Sequence, residues 1–360
     1  MLSLTQLKEV LIKNNGKHAI YVQGPPGCGK SQTIAQIAEE LKMDYFADVR
    51  LGTRDPQDLK GILIPDLENH ITIATRPDYF PDEELGEDIT GILFLDEFDH
   101  AAPSTQSAAY QLILDRKIGN YKLPDGVWII LASNAKEDGG VHFQIKRPVK
   151  NRMIQLRAKA TPEEWLERAI NVVGLNPLIT AFIKQNPHML YHTTDINSKL
   201  ELEDDMGGFA TPRSWYVVDD ILEDDYDPFI LSEMLKGAVG NSAAKKFLDY
   251  ISIVDNSVDP EKILEDDLDD LNTNDLKNTT AIYYTMSYFE THIRAGTISS
   301  KSTLTGLLRF INMIPDLSLR MVYFDTILNA SKRVLTPTLK EKEAVELRKS
   351  ILQSFIRPTN

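Results

Sequence analysis

Eight consecutive residues, Gly24-Pro25-Pro26-Gly27-Cys28-Gly29-Lys30-Ser31, match the phosphate-binding pattern G-x-x-x-x-G-K-[ST] at every fixed position. Glycine at 24, 27 and 29 lets the backbone curl its N–H groups around phosphate oxygens, and a following helix adds the positive end of its dipole. In such a cradle Lys30 reaches the β- and γ-phosphates, the Ser31 hydroxyl ligates Mg²⁺, and Gln32 joins residues 24–31 as nucleotide-binding. The context fits the pattern. His18–Val22 is a short apolar, β-prone run, and Gln32–Leu41 carries Ile34, Ile37, Ala38 and Leu41 at helical spacing. The segment predicts binding of a nucleoside triphosphate.

A second group lies further along the chain. Gly91-Ile92-Leu93-Phe94-Leu95-Asp96-Glu97 is an apolar run ending in two carboxylates. As a buried strand it delivers both at its C-terminal tip, where ligands sit in open α/β sheets. Asp96 then completes a Mg²⁺ shell with Ser31, and Glu97 polarises the attacking water as a general base. With Glu97 present, hydrolysis is expected as well as binding. A further run, Ile129-Ile130-Leu131-Ala132-Ser133-Asn134, ends in a polar side chain able to touch the γ-phosphate or the water. The competing role for Asn134 is that of a turn former at a strand exit.

The elements that must hold these groups follow from the rest of the pattern. β-prone runs at His18–Val22, Tyr45–Val49, Ile92–Asp96, Val127–Ala132 and Met153–Leu156 alternate with helical stretches. That alternation predicts a parallel sheet with helices on both faces. Between Leu51 and Asp88 it breaks, punctuated by Pro56, Pro65, Pro77 and Pro81. A break this long inside a compact domain carries structure or function of its own. After residue 160 the signals turn helical. Thr161-Pro162-Glu163-Glu164 offers an N-cap, Pro at the first position and Glu three residues after the cap. Thr211-Pro212-Arg213 offers the same start without the Glu, and Ala243–Tyr250, Ala281–Ile293, Leu304–Ile314 and Glu341–Ile356 are further helical stretches. The expected layout is a core at 1–158 with an insert at 51–88, a helical lid at 159–254 and a helical extension at 255–360.

Composition sets the outer bounds. A chain of 360 residues exceeds one ordinary core, and 42% hydrophobic with 26% charged residues is the balance of a soluble globular protein. No apolar run approaches the length of a membrane span, the N-terminus lacks a signal-peptide layout, and a lone Cys28 fits a reducing cytoplasm. The formal net charge of −14 argues against a protein whose main task is gripping nucleic-acid phosphates. The acidic runs Glu201–Asp205, Asp219–Asp227 and Glu265–Asp270 read as solvated faces before a dock for a basic partner.

The ordered set of phosphate loop, Asp96-Glu97 strand, Asn134, Asn151-Arg152 and Thr211-Pro212-Arg213-Ser214-Trp215 resembles the MoxR-type branch of AAA+ ATPases of bacteria, archaea and their phages. Asp58-Leu59-Lys60-Gly61, Ala109–Arg116 and Leu123-Pro124-Asp125-Gly126 resemble its linking segments, and the likeness covers about residues 5 to 250. The resemblance implies an α/β P-loop NTPase core, an α-helical lid, ATP and Mg²⁺, and a homo-oligomeric, hexameric ring in the cytoplasm. It implies that Arg152 is the arginine finger offered to a neighbouring subunit, with Arg147 as the other candidate, and that Arg213 is the lid's sensor for the γ-phosphate. It also implies that the 51–88 insert faces the ring's pore and meets a client protein, sometimes with a von Willebrand factor A-domain partner. A DNA-processing motor and a slow nucleotide-gated scaffold are the rival readings. A guanine-reading N-K-x-D pattern is absent.

Several features are weighed more plainly. Tyr79 and Phe80 face either a client or the core, and core packing is the expectation. His188 and His192 have zinc-ligand spacing but lack the Glu of H-E-x-x-H. Cys28 reads as a small loop residue before a redox switch. Trp128, Trp165 and Trp215 read as packing residues. The segment 136–146 and the basic stretch Lys146–Lys150 depart from the family pattern.

Overall fold

The strands explain themselves by their two-residue period. In chain order they are β1 (Ala19–Gln23), β2 (Tyr45–Arg50), a hairpin pair β3 (Leu63–Asp66) and β4 (Ile71–Ala74), β5 (Gly91–Asp96), a two-residue pair β6 (Lys117–Ile118) and β7 (Tyr121–Lys122), β8 (Val127–Ser133) and β9 (Met153–Arg157). The computed structural model describes residues 1–82, 85, 86, 88–119, 121–134, 143–145, 147–191, 208–255, 258–268, 271, 275–298 and 301–338. All five expected runs form one sheet in the order β2-β5-β8-β1-β9, and every pairing in it is parallel. Parallel strands need covering on both faces, and the residues comply. Ile20, Val22, Ile92, Phe94, Trp128 and Ile130 point to one apolar layer; Tyr21, Leu93, Leu95, Ile129 and Leu131 point to the other.

Helices supply those layers. The first unit, Met1–Thr161, holds α1 (Leu4–Asn14), α2 (Lys30–Glu40), α3 (Pro56–Lys60), α4 (Pro103–Asp115) and the single turn α5 (Arg147–Lys150). α1 begins in a reciprocal cap between Ser3 and Gln6 and buries Leu7 and Leu11 beside Ile34 and Ile37 of α2. α4 covers the opposite face through Ala108, Ala109 and Leu112. The sheet with helices on both faces is the α/β layout that the strand and helix alternation predicts for a P-loop core, and further helices follow it in the chain.

The insert between β2 and β5 is structured. It comprises a 3₁₀ turn at Leu51–Thr53, α3, and the antiparallel hairpin β3–β4. Tyr79 and Phe80 are buried in the core with Leu59, as core packing predicted. The hairpin is different: Leu63 and Ile71 are 67% and 53% exposed.

The second unit, Pro162–Asn360, is helical. It contains α6 (Pro162–Arg168), α7 (Pro177–Gln185), α8 (Pro212–Leu222), α9 (Pro228–Val239), α10 (Asn241–Asp255), α11 (Pro260–Leu264), α12 (Thr279–Arg294), α13 (Lys301–Met313) and α14 (Leu317–Thr338). One apolar cluster gathers Trp165, Phe182, Trp215 and Phe247; another gathers Ile263, Phe289, Phe310 and Tyr323. At the head of α8 the Thr211 hydroxyl accepts from the Ser214 N–H and Ser214 Oγ accepts from the Thr211 N–H. Ser214 thus fills the place that the sequence reading found without a Glu. The helix expected at Glu341–Ile356 lies outside the described residues.

Candidate functional site

Three adjacent strand tips make the site. β1 runs into the phosphate loop, β5 ends on Asp96, and β8, which lies between them, ends on Ser133 with Asn134 next. Crossover connections leave these tips and the helix start α2 around one crevice, the place where open α/β sheets take ligands. The loop needs its glycines. Gly27 and Gly29 sit at φ 65° and 95°, a region that side chains rarely adopt. A Cβ at Gly24 would stand 2.1 Å from the carbonyl oxygen of Ala158, so that loop residue is pressed against backbone.

Lys30 is nearly buried at 7% exposure. Its Nζ donates to the carbonyls of Gly24 at 2.8 Å and Pro25 at 2.9 Å, and to Asn134 Oδ1 at 3.2 Å. A charged amine buried this far requires such acceptors, and the three of them aim it into the loop. The Ser31 hydroxyl donates to Asp96 Oδ2 at 2.9 Å. A hydroxyl beside a carboxylate is a hard-oxygen donor pair that suits Mg²⁺ with phosphate and water completing the shell. The sequence predicted this pairing across the chain, and the structure brings it together.

Glu97 has an unusual backbone. Its φ is 55°, in the left-handed region that a glutamate seldom occupies, and its N–H donates to Asp96 Oδ1 at 2.8 Å. Strain of this kind persists where the surroundings over-determine it. Asp48, an exposed residue of β2, is pushed above the usual carboxylate range, first by partial desolvation and then by the negative charge of Asp96. Sequence reading missed Asp48 and the Lys30–Asn134 link. Both follow from strand order, which no local spacing reveals.

The remaining predicted residues fall in known places. Pro25, Pro26 and Gly27 line the loop, Cys28 is buried within it, and Gln32 is exposed on α2. Arg147 opens α5 and Arg152 sits in the turn before β9; both are exposed. In the parallel register Met153 pairs with Ala19 while Arg157 pairs with Gln23. Arg152 therefore lies at the end of the sheet opposite the phosphate loop, roughly 16 Å of strand away from it. Arg213 is exposed in the first turn of α8, in the second unit. His188 lies in a 3₁₀ turn, His192 and most of 136–146 lie outside the described residues, and no metal-binding cluster occurs among the described residues.

Residues 20–153 match the model of the ATPase family associated with various cellular activities, AAA. That span holds the loop, the two carboxylates and Asn134. Residues 20–153 form an AAA ATPase domain. Among curated proteins no sequence matches the chain. Among solved structures the chain resembles a proposed ATPase from Cytophaga hutchinsonii at 13% identity, over 99% of this chain and 89% of that one, with a TM-score of 0.36. It also resembles the RuvB Holliday junction branch migration motor of Thermotoga maritima at 13% identity, over 74% of this chain and 75% of that one, with a TM-score of 0.37. Likenesses this distant say nothing about what the ATPase domain acts on.

Proposed function

We propose that this chain is a Mg²⁺-dependent ATPase of MoxR type that works as a ring and uses hydrolysis to remodel or mature a partner protein. The observation that carries the hydrolytic part is the convergence of Lys30, Ser31, Asp96, Glu97 and Asn134 on one crevice. Lys30 exchanges its loop carbonyls for β- and γ-phosphate oxygens. Ser31 and Asp96 would hold Mg²⁺, which supplies neutralisation of the charge that develops on the phosphates. Glu97 accepts the proton of the attacking water, and Asn134 orients that water or the γ-phosphate.

The ring reading rests on where Arg152 stands. A finger at the far end of its own sheet serves phosphoryl transfer only in a neighbour's site. The partner reading rests on the insert, whose hairpin exposes Ile62, Leu63, Ile64 and Leu67. The MoxR likeness adds a von Willebrand factor A-domain protein as a candidate co-partner and gives Arg213 the sensor role.

Steady-state hydrolysis tests the assignment. Glu97→Gln is expected to bind ATP and lose at least about 100-fold in turnover, within the range that general-base catalysis contributes. Arg152→Ala is expected to do the same, and mixing the two variants to restore part of the activity, because an intact Glu97 can then face an intact Arg152. No recovery on mixing, with both variants assembled, would remove the shared-site claim. Stimulation of turnover by duplex or junction DNA would instead favour the nucleic-acid motor.

A further inference from the structure

We infer that Gly52 is a positioning residue for Glu97, so that the root of the insert sets the aim of the hydrolytic carboxylate. The inference rests on the role proposed above for Glu97. β2 ends at Arg50, which pairs in register with Asp96, and the chain turns at once into the 3₁₀ segment Leu51–Thr53. Leu51 is fully buried and anchors that turn in the core. Gly52 then passes so close to the catalytic side chain that a Cβ on it would lie 2.7 Å from Glu97 Oε2 and 3.5 Å from His100 Cβ.

Two details make this contact matter for chemistry and not for folding. Gly52 is outside the set of residues with positive φ, so its backbone accepts an alanine without strain. The atom that a methyl group would meet is the far end of a glutamate, which can swing aside at little cost to stability. Glu97 itself has limited freedom at its root, being held at φ 55° with its N–H on Asp96. A methyl at position 52 therefore moves the carboxylate and leaves the rest of the site in place.

The turn also ties into the insert. The carbonyl of Arg54 accepts from Thr105 Oγ1 at 3.0 Å, and Asp55 and Asp58 then cap α3 reciprocally ahead of the hairpin. Gly52 is thus the point at which insert backbone touches the hydrolytic carboxylate.

The test uses the full chain with Gly52→Ala, alone and with Glu97→Asp, read by ATP affinity, melting temperature and single-turnover hydrolysis. Gly52→Ala is expected to lower the hydrolysis rate about 10- to 100-fold, as misplacement by about 1 Å does, with affinity and melting temperature unchanged. In the Glu97→Asp background, whose shorter side chain withdraws from the methyl, the same change is expected to cost less than about twofold by the same steric reasoning. A wild-type rate in Gly52→Ala overturns the inference, as does an equal loss in both backgrounds or a loss that tracks affinity or melting. Glu97→Gln separates the two readings. If it turns over normally, the role of Glu97 has failed; if it is dead while Gly52→Ala is normal, only the role of Gly52 has.

Discussion

At the scale of single residues the site sets Asp48 within electrostatic reach of Asp96 and Glu97. Asp48 shows the cost. Its folded-state pKa stands above the ordinary carboxylate value, raised by partial desolvation and then by Asp96, with Arg50 opposing. A raised carboxyl pKa means that the folded state resists ionising the group. The penalty is full above the folded-state value, shrinks as pH falls towards the ordinary one, and is gone below it. Because Asp48 is exposed and solvent screens its charge, Asp48→Asn should raise the melting temperature only slightly at neutral pH, with a gain that fades on acidification. Scanning calorimetry over a pH series checks this. A gain that is constant with pH would show that charge is not the cause.

Elements show which parts of the molecule local sequence can specify. The five sheet strands were legible because each is an apolar run buried on both faces, and Ser31 and Asp96 came with them. The insert was not. Pro65 and a run of exposed apolar residues hide the alternation by which a hairpin is normally recognised. Arg152 was legible as a type of residue, but its remoteness from the loop depends on register, which a sequence does not display. Gly52 was invisible for the same reason, since its contact with Glu97 follows from the pairing of Arg50 with Asp96. The hairpin gives its own prediction. Ile64 and Leu67 are 53% and 80% exposed, so Ile64→Ser with Leu67→Ser should leave stability within about 0.5 kcal/mol. Binding of a dye specific for apolar surface should fall at the same time. A marked drop in melting temperature would mean that the hairpin packs on something within its own unit.

For the molecule as a whole, the second unit is held together by more than apolar contact. α7 and α12 lie side by side, and on their seam Glu290 receives both Lys184 and Arg294. Arg294 also donates to Asn171 Oδ1 at 2.5 Å. Burial pulls the Lys184 ammonium below the usual lysine range, against the attraction of Glu290. Removing the shared carboxylate leaves two cations facing one another, 15% and 14% exposed. Glu290→Ala should cost about 3–5 kcal/mol, the usual result of stranding a buried charge. Lys184→Met, which keeps the Arg294–Glu290 pair, should cost far less. Guanidinium unfolding of the full chain measures both, and equal losses would show that packing and not charge sustains the seam.

The start of α2 has a consequence of a different kind. α1, α7, α8, α9, α11 and α12 each begin on a side chain that accepts a hydrogen bond from their first turn, whereas α2 begins on Gly29, which offers none. α4, which begins on Ala102, shares that lack, but only α2 follows a phosphate loop, and an uncapped first turn there suits an anion. The nucleotide is in this sense a missing residue of the fold. If ATP fills the loop as proposed, its phosphates stand where the capped helices carry a side-chain oxygen.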